Sequence, residues 1–311
     1  MIAGDTMAAP ELRILTISDL KEVSELQAKV WQDYFLAERG LQVPLLYRTE
    51  KNLRYYMAKE QEGCFVAEVD GQLVGCIFSH VWGSVGWFGP VEVATEHQNR
   101  GIGKELVTRS VNHLKSRGCE TIGLETMSSS HKNITMYAKL GFMPKHLSYV
   151  LFKRLHEPTE AITQVIETEQ KEDLPVSKQM WNSIIPGLDY STEIRATAEH
   201  NLGKHLLYES DVQSSHAIVH TYEMFDNSPN AVVKLMVAGD VSSASALLDQ
   251  CENAALERSK NGIFLRTYAA ARPSLEFFLE RGYVLQSTST RMILQGQDEE
   301  GTLLHVSCWS G

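Results

Sequence analysis

The sequence predicts an α/β protein of two similar halves, and three observations carry that expectation. A strand, Val91-Glu92-Val93-Ala94, leads through the glycine-rich turn Gln98-Asn99-Arg100-Gly101-Ile102-Gly103-Lys104 into a helix. A further strand, a short helix and a Gly-Phe pair follow in that order. The spacing of these elements then recurs in the second half of the chain. Length agrees, since 311 residues suffice for two domains with separate cores.

Taken in order, Leu12 to Thr16 reads as a strand, and residues 20–36 and 52–59 as helices. Cys64 to Val69, Asp70-Gly71 and Gln72 to His80 alternate apolar residues about a turn-forming pair, the pattern of a hairpin. The helix after the glycine turn runs from Ile102 to Arg117, with Leu106, Val107, Val111 and Leu114 at helical spacing. Gly101 and Gly103 permit backbone angles and close approach that a Cβ forbids. Unpaired amides at the helix start, aided by the helix dipole, then face whatever anion lies in the turn. A pyrophosphate suits that geometry. Thr121 to Thr126 is the next strand, and Asn133 to Leu140 is a short helix stopped by Gly141 and followed by Phe142.

Spacing chooses among the families that use such a turn. A Walker A loop needs four residues between its glycines and Ser or Thr after its lysine; one residue separates Gly101 from Gly103, and Glu105 follows Lys104. A dinucleotide fingerprint needs a third glycine where Leu106 stands. The turn instead resembles the Gln/Arg-x-x-Gly-x-Gly/Ala signature of the GNAT acyltransferase superfamily. Tyr137-Ala138-Lys139-Leu140-Gly141-Phe142 is similar to that family's Tyr-x-x-x-Gly-Phe/Tyr motif.

The resemblance implies a mixed, mostly antiparallel sheet flanked by helices, acetyl-coenzyme A as the acyl donor, and transfer of the acetyl group to an amine by direct attack. It implies coenzyme contacts from Val91, Val93, Gln98, Asn99, Arg100, Gly101, Ile102, Gly103 and Lys104, from Ser130 and Asn133, and from Tyr137 near the sulfur. Ser130 stands where the family usually carries Asn, and it can still donate one hydrogen bond to the pantetheine arm. Trp31, Tyr34 and Phe35, on an early helix, are candidates to line the acceptor pocket, although aromatics at this spacing also serve as plain core. An amine with a pKa near 10.4 must lose a proton before it attacks, and Glu92 is the candidate base, with Glu125 behind it. The Val93 N–H is placed to polarise the thioester carbonyl, and the Tyr137 hydroxyl to hydrogen-bond the departing thiolate.

The repeat accounts for the remaining length. Val93 lies 25 residues before Gly118, and Val237 lies 25 residues before Gly262. Ala244 to Arg258 reads as the matching helix, Ile263 to Arg266 as a strand, and Pro273 to Glu280 as a helix ended by Gly282-Tyr283. Ile162 to Ile166, followed by a helix with Trp181, parallels Leu12 to Thr16 followed by the helix with Trp31. His156 to Glu160 reads as a linker, which gives a catalytic domain at 1–155 and a degenerate one at 156–311. Laying Val237 on Val93 puts Ser242, Ser245 and Leu247 where Gln98, Gly101 and Gly103 stand, and Phe278 where Tyr137 stands. The second half is therefore expected to bind no coenzyme and to act as a structural or substrate-shaping partner.

Composition narrows the partners. Residues 1–155 carry a net charge of +1 and residues 156–311 carry −11, which restores the overall −10 and argues against nucleic acid. Residues 1–10 read as a loose tail, and no leader or membrane-spanning apolar run is evident. Five cysteines without a C-x-x-C pair argue against a disulfide framework, and no Cys/His cluster suggests a metal. Gly83-Ser84-Val85-Gly86 falls short of a serine-hydrolase elbow. The expectation is a cytoplasmic monomer or homodimer acting on a small-molecule or peptide amine. Two alternatives stay open: an acyl-coenzyme A sensor without turnover, and a transferase for a longer acyl group or a thiol or hydroxyl acceptor.

Overall fold

The computed structural model describes residues 9–160, 165–168, 175–209, 214–299 and 304–309. Most of the expected N-terminal tail and the 162–164 part of the expected strand lie outside them. Contacts divide the described chain into two compact units, one of residues 9–80, 88–117 and 224–226, the other of 81–87, 118–223 and 227–309. The boundary at residue 155 divides the sequence, whereas these units are divisions by contact.

The first unit opens with β1 (Glu11–Ile14) and α1 (Leu20–Arg39). Leu20, Val23, Ser24, Gln27 and Ala28 recur at helical spacing and form the buried face of α1, which ends at Gly40 in the left-handed region. Next come α2 (Glu50–Lys59) and the hairpin of β2 (Phe65–Val69) and β3 (Gln72–Trp82), turned by Asp70 and Gly71 at φ +52° and +78°. β1 pairs antiparallel with β2, from Glu11 opposite Glu68 to Ile14 opposite Phe65. β4 (Val85–Val93) follows β3 in the sheet order and leads toward α3 (Ile102–Ser116), which buries Ile102, Leu106, Val107, Ser110, Val111 and Leu114. Gly75 of β3 makes that packing close: a Cβ there would lie 3.1 Å from a Leu106 methyl.

The second unit contains β5 (Thr121–Met127), α4 (His131–Lys139), β6 (Met143–Arg154), β7 (Val165–Glu167), α5 (Pro175–Ile184) and α6 (Ser191–Glu199). β8 (Gly203–Glu209), β9 (Ser214–His220), β10 (Asn230–Ala238), α7 (Val241–Glu257), β11 (Gly262–Tyr268), α8 (Arg272–Glu280), β12 (Val284–Gln295) and β13 (Leu304–Ser307) complete it. Residues 155–160 carry no regular structure. The strand order β5-β12-β6-β11-β10-β9-β8-β7, with β13 on β10, is the main departure from the sequence-based expectation of two separate sheets. β12 lies between β5 and β6, pairing Ser289 with Met127 on one side and Ile293 with Met143 on the other. β6 lies between β12 and β11, pairing Tyr149 with Thr267. Each half of the sequence thus inserts its last long strand among the strands of the other.

A buried ion network holds this exchange. Arg291 of β12, 1 % exposed, binds Glu125 of β5 at 2.9 Å and Asp298 at 3.3 Å, and also pairs with Glu299. Arg266 of β11 reaches the other oxygen of Glu125 at 2.8 Å, and Ser148 of β6 donates to Glu125 as well. The rings of Trp87, Tyr268 and Trp309 stand within 5.4 Å of the Arg291 guanidinium carbon. Burial pushes the Glu125 carboxyl up, but Arg291 and Arg266 outweigh it and hold the group below its ordinary range. Glu299 falls to about 2, burial again being outweighed by Arg291 and His305.

Arg291→Met fills similar space but removes the cation shared by three buried carboxylates, leaving Glu125 with Arg266 and Glu299 with His305. It is expected to cost about 3–5 kcal/mol, the loss typical of breaking a buried pair from one side. Urea unfolding of the full chain measures it; a loss under about 1 kcal/mol would mean that the network contributes little to this fold.

Candidate active site

β4 brings two features of the site to one stretch of chain. Its side chains alternate, so Glu92 points into the first unit while the backbone continues through residues 94–100 to the turn at the start of α3. Asn99 and Gly101 both adopt positive φ, +63° and +89°, and Gly101 is the N-cap residue of α3. Gly103 has no such angle and sits inside the helix, so only its lack of a side chain distinguishes it. The first backbone bond of α3 runs from Glu105 N–H to the Gly101 carbonyl at 3.0 Å, leaving the preceding amides without helical partners. Gln98 folds back and donates to the Val93 carbonyl at 3.0 Å, which ties the turn to the strand end. Ile102 buries its side chain, whereas Asn99, Arg100, Gly101 and Lys104 are exposed. Nothing lies within 4 Å of a Cβ built on Gly101, so the turn has room above it for an anion. Val91 and Val93 are half-buried at the end of β4.

Glu92 is buried, not solvent-facing as a strand glutamate often is. Gln27 of α1 donates to its Oε2 at 3.1 Å, and the Cys76 thiol of β3 lies 3.6 Å from the same atom. Burial pushes the Glu92 carboxyl above the ordinary carboxylate range, against the opposing influence of Arg48, Gln27, Cys76 and Trp31. Burial likewise holds Cys76 well above its usual thiol value. Trp31 is therefore a neighbour of Glu92, and it forms one half-buried aromatic group with Tyr34 and Phe35, ring centres 5.7–6.0 Å apart. Gln27, Arg48 and Cys76 were not singled out from sequence. The available signal was polar Gln27 at helical spacing among Leu20, Val23 and Ala28.

Tyr137, Ser130 and Asn133 belong to the second unit. Tyr137 is buried on α4 and meets Phe142 edge to face at 6.0 Å, and its carbonyl accepts from the Phe142 N–H at 3.0 Å. The Tyr-x-x-x-Gly-Phe spacing thus closes the end of α4 upon itself, with Gly141 at φ +94°. Ser130 is the N-cap residue of α4, and its carbonyl accepts from Ile134; Asn133 donates to Thr126 at 3.5 Å. Glu125, the weaker base candidate, is committed to Arg291 and Arg266 and is not available to take a proton.

In the second half of the sequence the turn is replaced. α7 follows β10 after Gly239-Asp240 alone, and the Asp240 carboxylate accepts from Ser243 N–H at 2.8 Å. A side chain of the protein thus supplies the negative charge at that helix start. Ser242, Ser245 and Leu247 all lie within α7, so equal spacing in sequence conceals a shorter loop; Leu247 and Phe278 are fully buried core residues.

The profile of the acetyltransferase (GNAT) family matches residues 23–142. An N-alpha-acetyltransferase of Arabidopsis thaliana is 32% identical over 94 residues, 29% of this chain and 50% of that protein. An uncharacterized N-acetyltransferase of Methanocaldococcus jannaschii is 29% identical over 151 residues, 44% of this chain and 62% of that one. An acetyltransferase of Sodalis glossinidius is 35% identical over 95 residues, 30% of this chain and 67% of that one. The chain thus spans about half to two thirds of the length of these relatives. Among solved structures, a protein assigned as an acetyltransferase from Pyrococcus horikoshii superposes with a TM-score of 0.73 at 16% identity, covering 100% of this chain and 98% of that one. A tandem GNAT protein from the clavulanic acid biosynthesis pathway superposes at 0.60 with 12% identity, covering 94% and 99%. At these identities the likeness is one of fold.

The turn itself can be tested without a ligand. Gly101→Ala meets no neighbouring atom, so its cost is that of holding a Cβ at positive φ, about 1–2 kcal/mol. Urea unfolding should show that loss; an unchanged midpoint would mean that the turn relaxes to another conformation.

Proposed function

The chain belongs to the acetyltransferase (GNAT) family, and from that membership we propose that it transfers an acetyl group from acetyl-coenzyme A to an amine, with coenzyme held by the first half of the sequence. The observation that carries this reading is that β4 supplies a buried carboxylate and then runs into an exposed glycine turn at the start of α3. The residues of the turn suit a pyrophosphate: its amides donate, its glycine at 101 leaves space, and exposed Arg100 and Lys104 add positive charge. Acetyl-coenzyme A supplies a thioester whose carbonyl carbon is the electrophile.

The chain's own groups then divide the work. Glu92 takes a proton from the ammonium of the acceptor, a task matched by a carboxyl raised toward neutral pH. The Val93 N–H polarises the carbonyl that receives the attack. Tyr137 donates a hydrogen bond to the sulfur as negative charge develops there. Trp31, a neighbour of Glu92, and the Tyr34 and Phe35 rings packed on it are assigned to the acceptor pocket. The half with Asp240 at its helix start holds no coenzyme. The names of the relatives include N-alpha-acetyltransferases, which is consistent with an amine as acceptor.

Three measurements test the reading. Acetyl-coenzyme A should bind with a stoichiometry of one per chain in calorimetry; two would mean that the Asp240 end also binds it. Glu92→Gln should lower kcat by about 10²- to 10⁴-fold with coenzyme affinity nearly unchanged. In the parent, kcat/KM should rise with pH as Glu92 ionises, through a pKa above the ordinary carboxylate value, and the variant should lose that limb. Because Gln removes a buried charge, it should not lower the unfolding midpoint above that pKa, where the ionised form burdens the fold; a fall would assign Glu92 a structural role instead. Tyr137→Phe keeps the ring against Phe142, so turnover should drop at least about tenfold at constant coenzyme affinity. A parent-like rate would send the sulfur's proton through water.

A further inference from the structure

The side chains around Glu92 form two poles inside the first unit. One pole accepts. Gln27 uses its Nε2 on Glu92, which leaves Gln27 Oε1 buried with no hydrogen-bond partner in the structure. Together with the Glu92 carboxylate it offers two kinds of acceptor oxygen to a donor. The other pole donates. Arg48 is 5 % exposed, and its Nη1 donates to Asn52 Oδ1 at 3.3 Å and Tyr56 Oη at 2.9 Å, both uncharged. Its Nε is buried with no partner, and among the described residues no carboxylate forms an ion pair with it. The rings of Tyr56 and Phe225 flank the guanidinium at 5.3 and 4.8 Å. One helix face touches both segments: Ser24 donates to the Arg48 backbone carbonyl at 2.8 Å, and Gln27, three residues on, donates to Glu92.

A buried guanidinium whose hydrogen-bond partners are all neutral keeps donor capacity for an anion. Glu92 acts on it only through space, being hydrogen-bonded to Gln27 and Cys76. An anion at Arg48 and an ammonium at Gln27 and Glu92 would satisfy both poles and both orphaned atoms. Resting on the acetyl-transfer reading, we propose that the acceptor is an amine that also carries a carboxylate, as a free amino acid does, with the carboxylate on Arg48 and the ammonium on Gln27 Oε1 and Glu92. In the reaction one ammonium proton passes to Glu92, the nitrogen forms its bond to the acetyl carbon, and the carbon–sulfur bond breaks. A second nitrogen proton is lost as the amide forms and balances the one that the departing thiolate gains, through Tyr137 or water. The products are the N-acetyl amino acid, free coenzyme A and protonated Glu92, which then releases its proton to solvent.

The second half of the sequence takes part in this selectivity. Residues 224–226 belong to the first unit, where Thr49 N–H donates to the Met224 carbonyl at 3.1 Å and Asp226 N–H to the Tyr47 carbonyl at 3.0 Å. That short bridge on either side of Arg48 seats Phe225 on the guanidinium, so Phe225 is a positioning residue.

The test uses the full chain with the twenty amino acids, each as free acid and as carboxamide, in two readouts: acetylation with acetyl-coenzyme A, and calorimetric binding with or without coenzyme A. At least one free acid should exceed its carboxamide by about tenfold or more in kcat/KM and in affinity, the scale of a charge-assisted hydrogen bond. Arg48→Gln should bring acid and carboxamide to the same value, Arg48→Lys should restore part of the preference, and Phe225→Leu should narrow it by raising KM more than it lowers kcat. If Arg48→Gln does not fold, the acid-to-carboxamide ratio of the parent decides alone. The proposal is overturned if acid and carboxamide behave alike, if Arg48→Gln keeps the preference, or if no free acid binds in either state. Amines acetylated without regard to a carboxylate sink this proposal and leave acetyl transfer intact; absence of coenzyme binding sinks the acetyl-transfer reading, while the binding ratio still judges Arg48.

Discussion

The ion pair between Arg291 and Glu125 is the constraint on which the second unit depends. A lone guanidinium or carboxylate at 1 % exposure would cost several kcal/mol, so neither strand can settle in place without the other. Because Arg291 lies on β12 and Glu125 on β5, the pair selects one neighbour for β5 out of many apolar strands that would pack equally well. Arg266 and Ser148 extend the choice to β11 and β6. In some proteins such networks add little net stability over an apolar core while favouring one register. The register also positions α4, which carries Tyr137 and connects β5 to β6, the strand whose Ser148 donates to Glu125 of β5.

A comparable economy governs β4. Period-two alternation sends Glu92 inward while its neighbours stay half-exposed, and the chain then needs a left-handed residue to begin α3. Glycine meets that need at position 101, and the same residue clears the space above the amides. Placement of the proposed base and of the proposed anion site thus follows from one strand and one turn. At the corresponding end of β10 an aspartate caps the helix, its carboxylate accepting from Ser243 N–H.

Local physics was legible in the sequence and non-local pairing was not. The hairpin at Asp70-Gly71, the start of α3 and the closure of α4 by Gly141 and Phe142 each depend on residues within a few positions of one another, and each is found within a residue or two of its expected place. The long strands β6 and β12 carry no such local mark, and their exchange rests on Glu125 meeting Arg291 across 166 residues of chain. The site divides similarly. Glu92 could be named from its strand, but its burial could not, because that depends on Gln27 of α1 and on Arg48 beyond it. The equal 25-residue spacing was misleading as an alignment, since α7 starts sooner after its strand, is two residues longer than α3, and is followed by Gly262 as the first residue of β11, whereas Gly118 precedes β5.

The exchange of β6 and β12 also sets a timetable for the nascent chain. On the ribosome β6 emerges long before either of its partners, β11 and β12, has been made, and its two edges must wait through more than 100 further residues. At about 5–20 residues per second that is a delay of roughly 5–20 s, far longer than the time in which small domains fold. During it an unpaired strand of 12 residues is a target for chaperones or for another copy of itself. The arrangement therefore ties the two halves together in inheritance as well as in space: a gene cut between them would leave each product with a strand that only the other can cover.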